Sequence, residues 1–183
     1  DEMSSRGLGD VYKRQGYQFL HCLVNEANGG LSSVVDGFAV ANYLKKNAKD
    51  VFNILTKTHV KFKDTDYTQK AVRILHSPII TLTKDNDFND IRFSMAAMGA
   101  VDVDPKEMKK FYEAYQYFAS LLQNKKFKID FRLEAGDIFC FNNRRVLHGR
   151  TEFDPNSGNR HLQGYYVERD EIIGRLNYFN NIK

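Results

Sequence analysis

Residues Gly136–Tyr166 read GDIFCFNNRRVLHGRTEFDPNSGNRHLQGYY, and this stretch carries the strongest structural signal in the chain. Runs of β-forming residues predict a strand on each side of a polar loop. His148 follows an apolar strand and is expected to open a turn through Gly149. Arg160 stands twelve residues later, at the head of the next strand. If the two strands are antiparallel neighbours, the side chains of His148 and Arg160 point into one cavity.

His148 and Arg160 have complementary chemistry. A histidine at a strand end is a good neutral ligand for a mid-series metal, and an arginine binds a carboxylate through two parallel hydrogen bonds. A metal together with a carboxylate-bearing cosubstrate is what iron and 2-oxoglutarate chemistry requires. The alternative interpretation of the spacing is structural: His148 caps a turn, and Arg160 pairs with Asp154 or Glu168.

Short strands with a few helices between them dominate the rest of the chain. Strands are predicted on the segments YQFLHCLV, SSVVDGF, HVKFK, AVRILH, IITLT, IRFSM, FKIDFRL, IFCF and HLQGYYV. Helices are predicted over Phe38–Leu55 with a break near Asn47, and over the segment DEIIGRLNYF. A third begins after Asp104, which can act as N-cap, with Pro105 in the first turn and Glu107 completing a capping-box-like pair. This pattern predicts an antiparallel β-sandwich or barrel with helices packed outside.

The composition is that of a globular protein with one core, since 42% of the 183 residues are hydrophobic and 27% are charged. The net charge of +4 is scattered, so basic clusters such as the one at residues 125–128 are interpreted as solvated surface, not as a nucleic-acid footprint. The sequence contains neither an apolar run of the roughly 18 residues that a membrane span needs nor an apolar signal core at its N-terminus. Cys22 and Cys140 are predicted to be buried, reduced thiols of an intracellular protein.

The segments VDGF, FNNRRVLHGRT and RHLQGYYVERDEI resemble the C-terminal catalytic half of the γ-butyrobetaine and trimethyllysine dioxygenases, which belong to the taurine-dioxygenase-like superfamily. The segment GYQFLHCLVNEANGGLSSVVDGF is also similar to their pattern of a strand, a Gly-Gly turn and a strand ending in VDGF. The resemblance runs in the same order from Gly16 to about Tyr178. It implies a mainly β fold with flanking helices, namely a double-stranded β-helix (jelly roll) that is incomplete at its N-terminal side.

The resemblance also implies roles for single residues. His148 matches the distal histidine that binds Fe(II), and Arg160 matches the arginine that binds the far carboxylate of 2-oxoglutarate. Ser32 falls where relatives place a threonine or serine near the cosubstrate, with a hydroxyl that satisfies a turn as the alternative. Tyr166 matches a tyrosine of an aromatic cage around a trimethylammonium group, with strand packing as the alternative.

Two further residues of the motif, Asn143 and Arg150, are expected to orient the histidine turn. One part of the family pattern is missing from the sequence. Relatives carry an H-x-D or H-x-E motif shortly before the segment that matches GYQFLHC, and here no histidine is followed by an acid two positions on. Residues 1–15 are polar, contain no histidine and resemble translated sequencing-adapter read-through. We therefore expect a non-native tail at 1–15 and a partial catalytic domain at 16–183 that is inactive as a fragment.

For a longer parent protein, the resemblance implies Fe(II)- and 2-oxoglutarate-dependent hydroxylation, with ascorbate as reductant. The expected substrate is a small quaternary-ammonium compound: γ-butyrobetaine, which gives carnitine, or trimethyllysine as the close alternative. Ser94 and Met95 replace an Asn-Asn pair of the betaine-using relatives. An alternative from a different class is a non-catalytic jelly-roll module that binds a small cation or a partner. A homodimer in the cytoplasm or the mitochondrion is expected, with no nucleic-acid or membrane partner.

Overall fold

The computed structural model describes residues 16–67, 70–94, 98–101 and 103–182. The predicted tail at residues 1–15 and Met95 lie outside the described residues. The elements within these ranges, in chain order, are β1 (Tyr17–Asn25), β2 (Ser32–Asp36), α1 (Gly37–Asn47), α2 (Lys49–Lys57), β3 (Val60–Asp66), β4 (Ala71–Ser77), β5 (Ile80–Leu82), β6 (Phe88–Ile91), α3 (Pro105–Gln123), β7 (Lys128–Phe131), β8 (Ile138–Asn142), β9 (Val146–Arg150), β10 (Arg160–Val167) and α4 (Arg169–Asn181).

Two three-stranded antiparallel sheets form the part of the fold that carries the motifs. Their strand orders are β10-β1-β8 and β7-β2-β9. Rings of β8 contact rings of the other sheet: the Phe139 and Phe131 centroids are 5.1 Å apart, and those of Phe141 and His148 are 4.8 Å apart. Because successive side chains alternate between faces, these contacts define the inner face of each sheet. Of the two predicted architectures, a sandwich or a barrel, the structure shows the sandwich.

The outer face of the β7-β2-β9 sheet packs against the helices. Val35 and Leu147 project from this face into a core that includes Leu44 of α1, Leu55 of α2 and Phe118 of α3, and all five side chains are buried. Helices packed outside the sandwich were expected from the sequence, and the apolar faces of α1, α2 and α3 supply them. The two-stranded sheets β3-β4 and β5-β6 complete the same core.

Most predicted elements are confirmed, and two local predictions are wrong. The segment IRFSM is not a strand over its length: β6 ends at Ile91 because its partner β5 begins opposite it at Ile80. The Asp104 carboxylate caps α3 as predicted, accepting a hydrogen bond from the Lys106 amide at 2.8 Å. Glu107, however, pairs with Lys110 at 3.0 Å instead of completing a capping box.

The prediction of two buried thiols is half right. Cys22 points to the inner face of β1 and is buried, whereas Cys140 lies on the outer face of β8 and is exposed. Among the described residues, no helix has both the length and the apolar character needed to cross a membrane.

Candidate functional site

His148 lies within strand β9, on the inner face of its sheet and opposite Val34. The prediction that it opens a turn is wrong, because β9 continues to Arg150, which pairs with Ser32 of β2. The half-buried imidazole packs against the ring of Phe141, which belongs to the facing sheet. His148 is thus held in the space between the two sheets.

Arg160 is the first residue of β10, as predicted, and it pairs with Asn25 of β1. The strands β9 and β10 are not neighbours, which corrects the premise of the sequence argument, because they belong to different sheets. Alternation along β10 places Arg160 on the same face as Tyr166. That face is the inner one, since Tyr166 pairs with Gln18 and Gln18 pairs with Phe141. His148 and Arg160 therefore approach the same space from opposite sheets.

The guanidinium of Arg160 lacks the partners that the structural alternative required. Its Nε is buried and forms no hydrogen bond, and within the described ranges Arg160 forms no ion pair with Asp154, Glu168 or any other acid. Burial lowers the pKa of Arg160, and the positive charge of Arg150 lowers it further. Because arginine remains protonated in proteins, this position holds a half-buried cation, and an anion would stabilise it.

Aromatic and backbone groups, not acids, surround this cation. The Cζ atom of Arg160 lies 5.3 Å from the ring centroid of Phe153, and that of Arg150 lies 4.3 Å from the same centroid. Gly30 lies next to the guanidinium of Arg160: a Cβ added at this glycine would be 3.2 Å from the Arg160 Nε. Sequence reasoning missed Phe153 and Gly30. The one available signal for Phe153 was that it is the single aromatic residue in the polar loop between the two predicted strands.

The other predicted site residues also reach the inner faces. Ser32 is buried, and it shares the inner face of β2 with Val34. Tyr166 is 39% exposed and lies three residue pairs along the inner face of β10 from Arg160. Tyr166 is therefore partly open to solvent.

The two residues expected to orient the histidine differ in their contacts. Asn143 is buried, and its backbone amide donates to the Gly16 carbonyl at 2.9 Å, while its side-chain Nδ2 has no hydrogen-bond partner in the part of the chain that the structure describes. Arg150 is exposed at the end of β9, and its guanidinium stacks over Phe153. Arg150 therefore lies on the histidine strand and also shares the ring of Phe153 with Arg160.

The motifs VDGF and NNRR are joined by an ion pair at one end of the site. The Asp36 carboxylate accepts hydrogen bonds from Nε and Nη2 of Arg145 at 3.0 and 2.6 Å, and it also caps α1 by accepting from the Phe38 and Ala39 amides. Burial alone would raise the pKa of Asp36, but the hydrogen bonds and charge of Arg145 outweigh it and lower the pKa. This contact ties β2 to the turn that leads into β9.

The described residues do not fit a complete iron centre. Among them, no group of three His, Cys, Asp or Glu side chains is placed to hold a metal ion, whereas a facial iron site needs two histidines and a carboxylate. His148 is the one candidate ligand that both motif and position support. The buried, unpartnered Nε of Arg160 does fit a carboxylate.

A cavity of about 210 Å³ lies on the other side of the β7-β2-β9 sheet. Its walls come from Val35 and Leu147 on the outer face of the sheet, and from Phe93 and Leu122 on the helical side. His148 and Gly149 of β9 also line it, but Arg150 and Arg160 do not. We therefore place the candidate site between the sheets and not in this cavity.

Comparison with known proteins identifies the family. Residues 12–166 match the family described as taurine catabolism dioxygenase TauD, TfdA family. This chain belongs to the TauD/TfdA family.

Within this family, the chain is 42% identical over 161 residues to γ-butyrobetaine dioxygenase of Pseudomonas sp. (strain AK-1), covering 88% of this chain and 42% of that protein. It is 37% identical to human γ-butyrobetaine dioxygenase, with the same two coverages. Trimethyllysine dioxygenase of Meyerozyma guilliermondii is 30% identical, covering 90% of this chain and 41% of that protein. The chain thus spans about two fifths of the length of these TauD/TfdA relatives.

Solved structures show the same fold at low sequence identity. An asparagine oxygenase in complex with Fe(II), 2S,3S-3-hydroxyasparagine and succinate has a TM-score of 0.66 at 21% identity, covering 84% of this chain and 46% of that chain. The non-heme iron oxygenase OrfP in complex with Fe and α-ketoglutaric acid has a TM-score of 0.62 at 19% identity, covering 90% of this chain and 48% of that chain. The mainly β fold with few helices is therefore the fold of these solved oxygenases.

Proposed function

We propose that this chain carries part of the active site of an Fe(II)- and 2-oxoglutarate-dependent hydroxylase that acts on a trimethylammonium substrate. The observation that carries the proposal is the guanidinium of Arg160, which faces the space between the sheets with a buried and unpartnered Nε. A dicarboxylate such as 2-oxoglutarate supplies the missing negative charge through two parallel hydrogen bonds. Membership of the TauD/TfdA family supports the same cosubstrate.

In this proposal each inner-face residue has one role. Arg160 binds the far carboxylate of 2-oxoglutarate, Ser32 lies near that cosubstrate, and His148 supplies one ligand to Fe(II). Tyr166 contacts the trimethylammonium group of the substrate through its ring face. Because the described residues do not supply the remaining iron ligands, we derive no reaction step through the metal.

γ-Butyrobetaine is the substrate that we favour, with trimethyllysine as the alternative. The support is the higher identity to the γ-butyrobetaine dioxygenases, 42% and 37%, than to the trimethyllysine dioxygenase at 30%. Asn143 and Arg150 are proposed to position the histidine strand. Ascorbate as reductant, a homodimer and a cytoplasmic or mitochondrial location remain predictions, as does the assignment of residues 1–15 to a non-native tail.

The cosubstrate role is tested by titrating the chain with 2-oxoglutarate and following binding by NMR. We expect Arg160→Ala to abolish binding and Arg175→Ala, a matched change on the exposed surface of α4, to leave it unchanged. The monocarboxylate 2-oxobutyrate, which lacks the far carboxylate, should bind the native chain more weakly than 2-oxoglutarate. Equal affinity of the native chain and Arg160→Ala for 2-oxoglutarate would contradict the proposal.

The substrate role is tested by adjacent tyrosines on opposite faces of β10. Tyr166 faces the inner space, whereas Tyr165 is 50% exposed on the outer face. In saturation-transfer experiments with γ-butyrobetaine, Tyr166→Ala should reduce the signal of the methyl groups and Tyr165→Ala should not. The same loss in both variants would mean that the ring of Tyr166 has no specific role.

A non-catalytic binding module is the second candidate, because no complete set of metal ligands occurs among the described residues. The two candidates differ in their response to iron. An oxygenase should bind 2-oxoglutarate more tightly when Fe(II) is added anaerobically, since the oxo acid then gains a metal contact. If a protein that extends this chain upstream shows no such gain, the binding-module interpretation is favoured.

A further inference from the structure

We propose that Phe153 is a positioning residue for the carboxylate-binding arginine, and that its ring holds the guanidinium of Arg160 in place before any anion arrives. The inference rests on the proposed function, in which Arg160 binds 2-oxoglutarate, and it adds how the cation is fixed. The supporting observations are the backbone anchoring of Phe153, the stacking of two guanidiniums on its ring, and the absence of a side chain at Gly30.

The backbone around Phe153 is fixed from both sides. Phe153 forms an isolated antiparallel bridge with Gly29. The Gly30 amide donates to the Glu152 carbonyl at 2.9 Å, and the Asp154 amide donates to the Asn28 carbonyl at 3.1 Å. The loop between β9 and β10 is therefore pinned to the turn between β1 and β2, so the Phe153 ring has a defined place on the inner side.

The ring compensates for a charge arrangement that would otherwise be unfavourable. Arg150 and Arg160 place their Cζ atoms 4.3 and 5.3 Å from the ring centroid of Phe153. The two guanidiniums repel each other, and the Arg150 charge is one cause of the lowered pKa of Arg160. An aromatic face attracts cations within about 6 Å of its centroid, so one ring stabilises both guanidiniums.

Gly30 leaves the space that this packing needs. A Cβ at this position would lie 3.2 Å from the Arg160 Nε and 3.2 Å from the Phe153 Cβ, and the φ angle of +65° is one that glycine adopts readily. A side chain at position 30 would crowd both the Phe153 side chain and the Arg160 guanidinium. The turn and the ring thus form the two walls of a slot for the Arg160 side chain.

A side chain that is already held loses less conformational freedom when its ligand binds. Removal of the ring should therefore weaken 2-oxoglutarate binding without removing the charge that binds it. We expect Phe153→Leu, which keeps apolar bulk but lacks the aromatic face, to raise the dissociation constant for 2-oxoglutarate roughly three- to thirtyfold. Phe153→Tyr keeps the face and should bind as the native chain does. Phe179→Leu, a matched loss of an exposed ring on α4, should also leave binding unchanged.

The experiment is an NMR titration of the 183-residue chain, with ¹⁵N-labelled arginine, against 2-oxoglutarate. A second readout needs no variant: in the native chain, the Nε–H resonance of Arg160 should show an upfield ring-current shift before ligand is added. That shift should disappear in Phe153→Leu and persist in Phe153→Tyr. The ring-current shift reports the contact directly, which a general loss of stability in one variant would not mimic.

The outcomes separate the inference from the proposed function. Loss of binding in Arg160→Ala, together with weaker binding in Phe153→Leu, supports both. Loss of binding in Arg160→Ala with unchanged binding in Phe153→Leu, or an unshifted Arg160 resonance in the native chain, overturns the positioning role and leaves the function standing. Unchanged binding in Arg160→Ala overturns the function and the inference with it.

Discussion

Replacing Asp36 with alanine removes two interactions at once, and their sum can be estimated from the contacts. The carboxylate caps α1 through two backbone amides, and loss of an N-cap costs about 1 kcal/mol. It also pairs bidentately with Arg145, whose side chain is half exposed, and a pair in such a setting adds up to about 1 kcal/mol. We expect Asp36→Ala to lower the free energy of unfolding by about 1–2 kcal/mol, measured by urea unfolding at neutral pH.

Two matched variants separate the cap from the ion pair. Asparagine caps helices about as well as aspartate, so Asp36→Asn should lose mainly the ion pair. Arg145→Gln should lose the ion pair and retain the cap, so its cost should resemble that of Asp36→Asn and fall below that of Asp36→Ala. If Asp36→Asn costs as much as Asp36→Ala, or if Arg145→Gln costs more, our assignment of the stabilisation to the cap is refuted.

The Asp36 contribution should also depend on pH. The pKa of Asp36 is lowered in the folded chain because the hydrogen bonds and charge of Arg145 outweigh the effect of burial. A carboxyl group with a depressed folded pKa stabilises the fold above its unfolded pKa of about 3.9. That stabilisation is lost as the pH falls through the folded pKa. The difference in unfolding free energy between the native chain and Asp36→Asn should therefore shrink at acidic pH.

Three further predictions concern single sites. The exposed thiol of Cys140 should react with an aromatic disulfide reagent in the folded chain, while the buried thiol of β1 reacts only after denaturation; equal rates would contradict the assigned faces. Phe118→Ala, at a fully buried ring, should cost about 3–5 kcal/mol in urea unfolding, whereas Tyr178→Ala on exposed α4 should change stability by less than about 0.5 kcal/mol. Gly30→Ala should weaken 2-oxoglutarate binding in the NMR titration, while Gly174→Ala, where an added methyl group meets open space, should not. Equal effects of the two changes would show that the close approach of Gly30 to Arg160 does not matter for binding.

The element order could be predicted from the sequence because local patterns are strong in this chain. A run of β-formers marks β1, alternating residues mark β7, and the Asp104-Pro105 pair marks the start of α3. The exact extent of a strand was less predictable, because strand length depends on a partner. The end of β6 at Ile91 is set by where β5 begins, which the sequence of β6 does not contain.

Within the candidate site, the residues could be predicted but their arrangement could not. His148 and Arg160 were expected to lie on neighbouring strands, and instead they lie on the inner faces of different sheets. Sheet pairing joins residues that are far apart in sequence, such as Val34 with His148, so local spacing cannot specify it. Phe153 was missed for the same reason, since its contact with Arg160 depends on the bridge to Gly29.

The rings between the sheets have a mechanical consequence. Phe131, Phe139, Phe141 and His148 form an unbroken row, with successive centroids 5.1, 5.0 and 4.8 Å apart. This row of rings sets the distance between the two sheets. Close-packed interiors have low compressibility, so a shift of one ring moves its neighbours. The imidazole is the last member of the row. Phe131 lies two strands from His148 in the same sheet, with the rings of the facing sheet between them. A change of ring size at Phe131 should therefore shift the candidate metal ligand relative to Arg160 on the opposite sheet, so the spacing of the two sheets sets the geometry of the site.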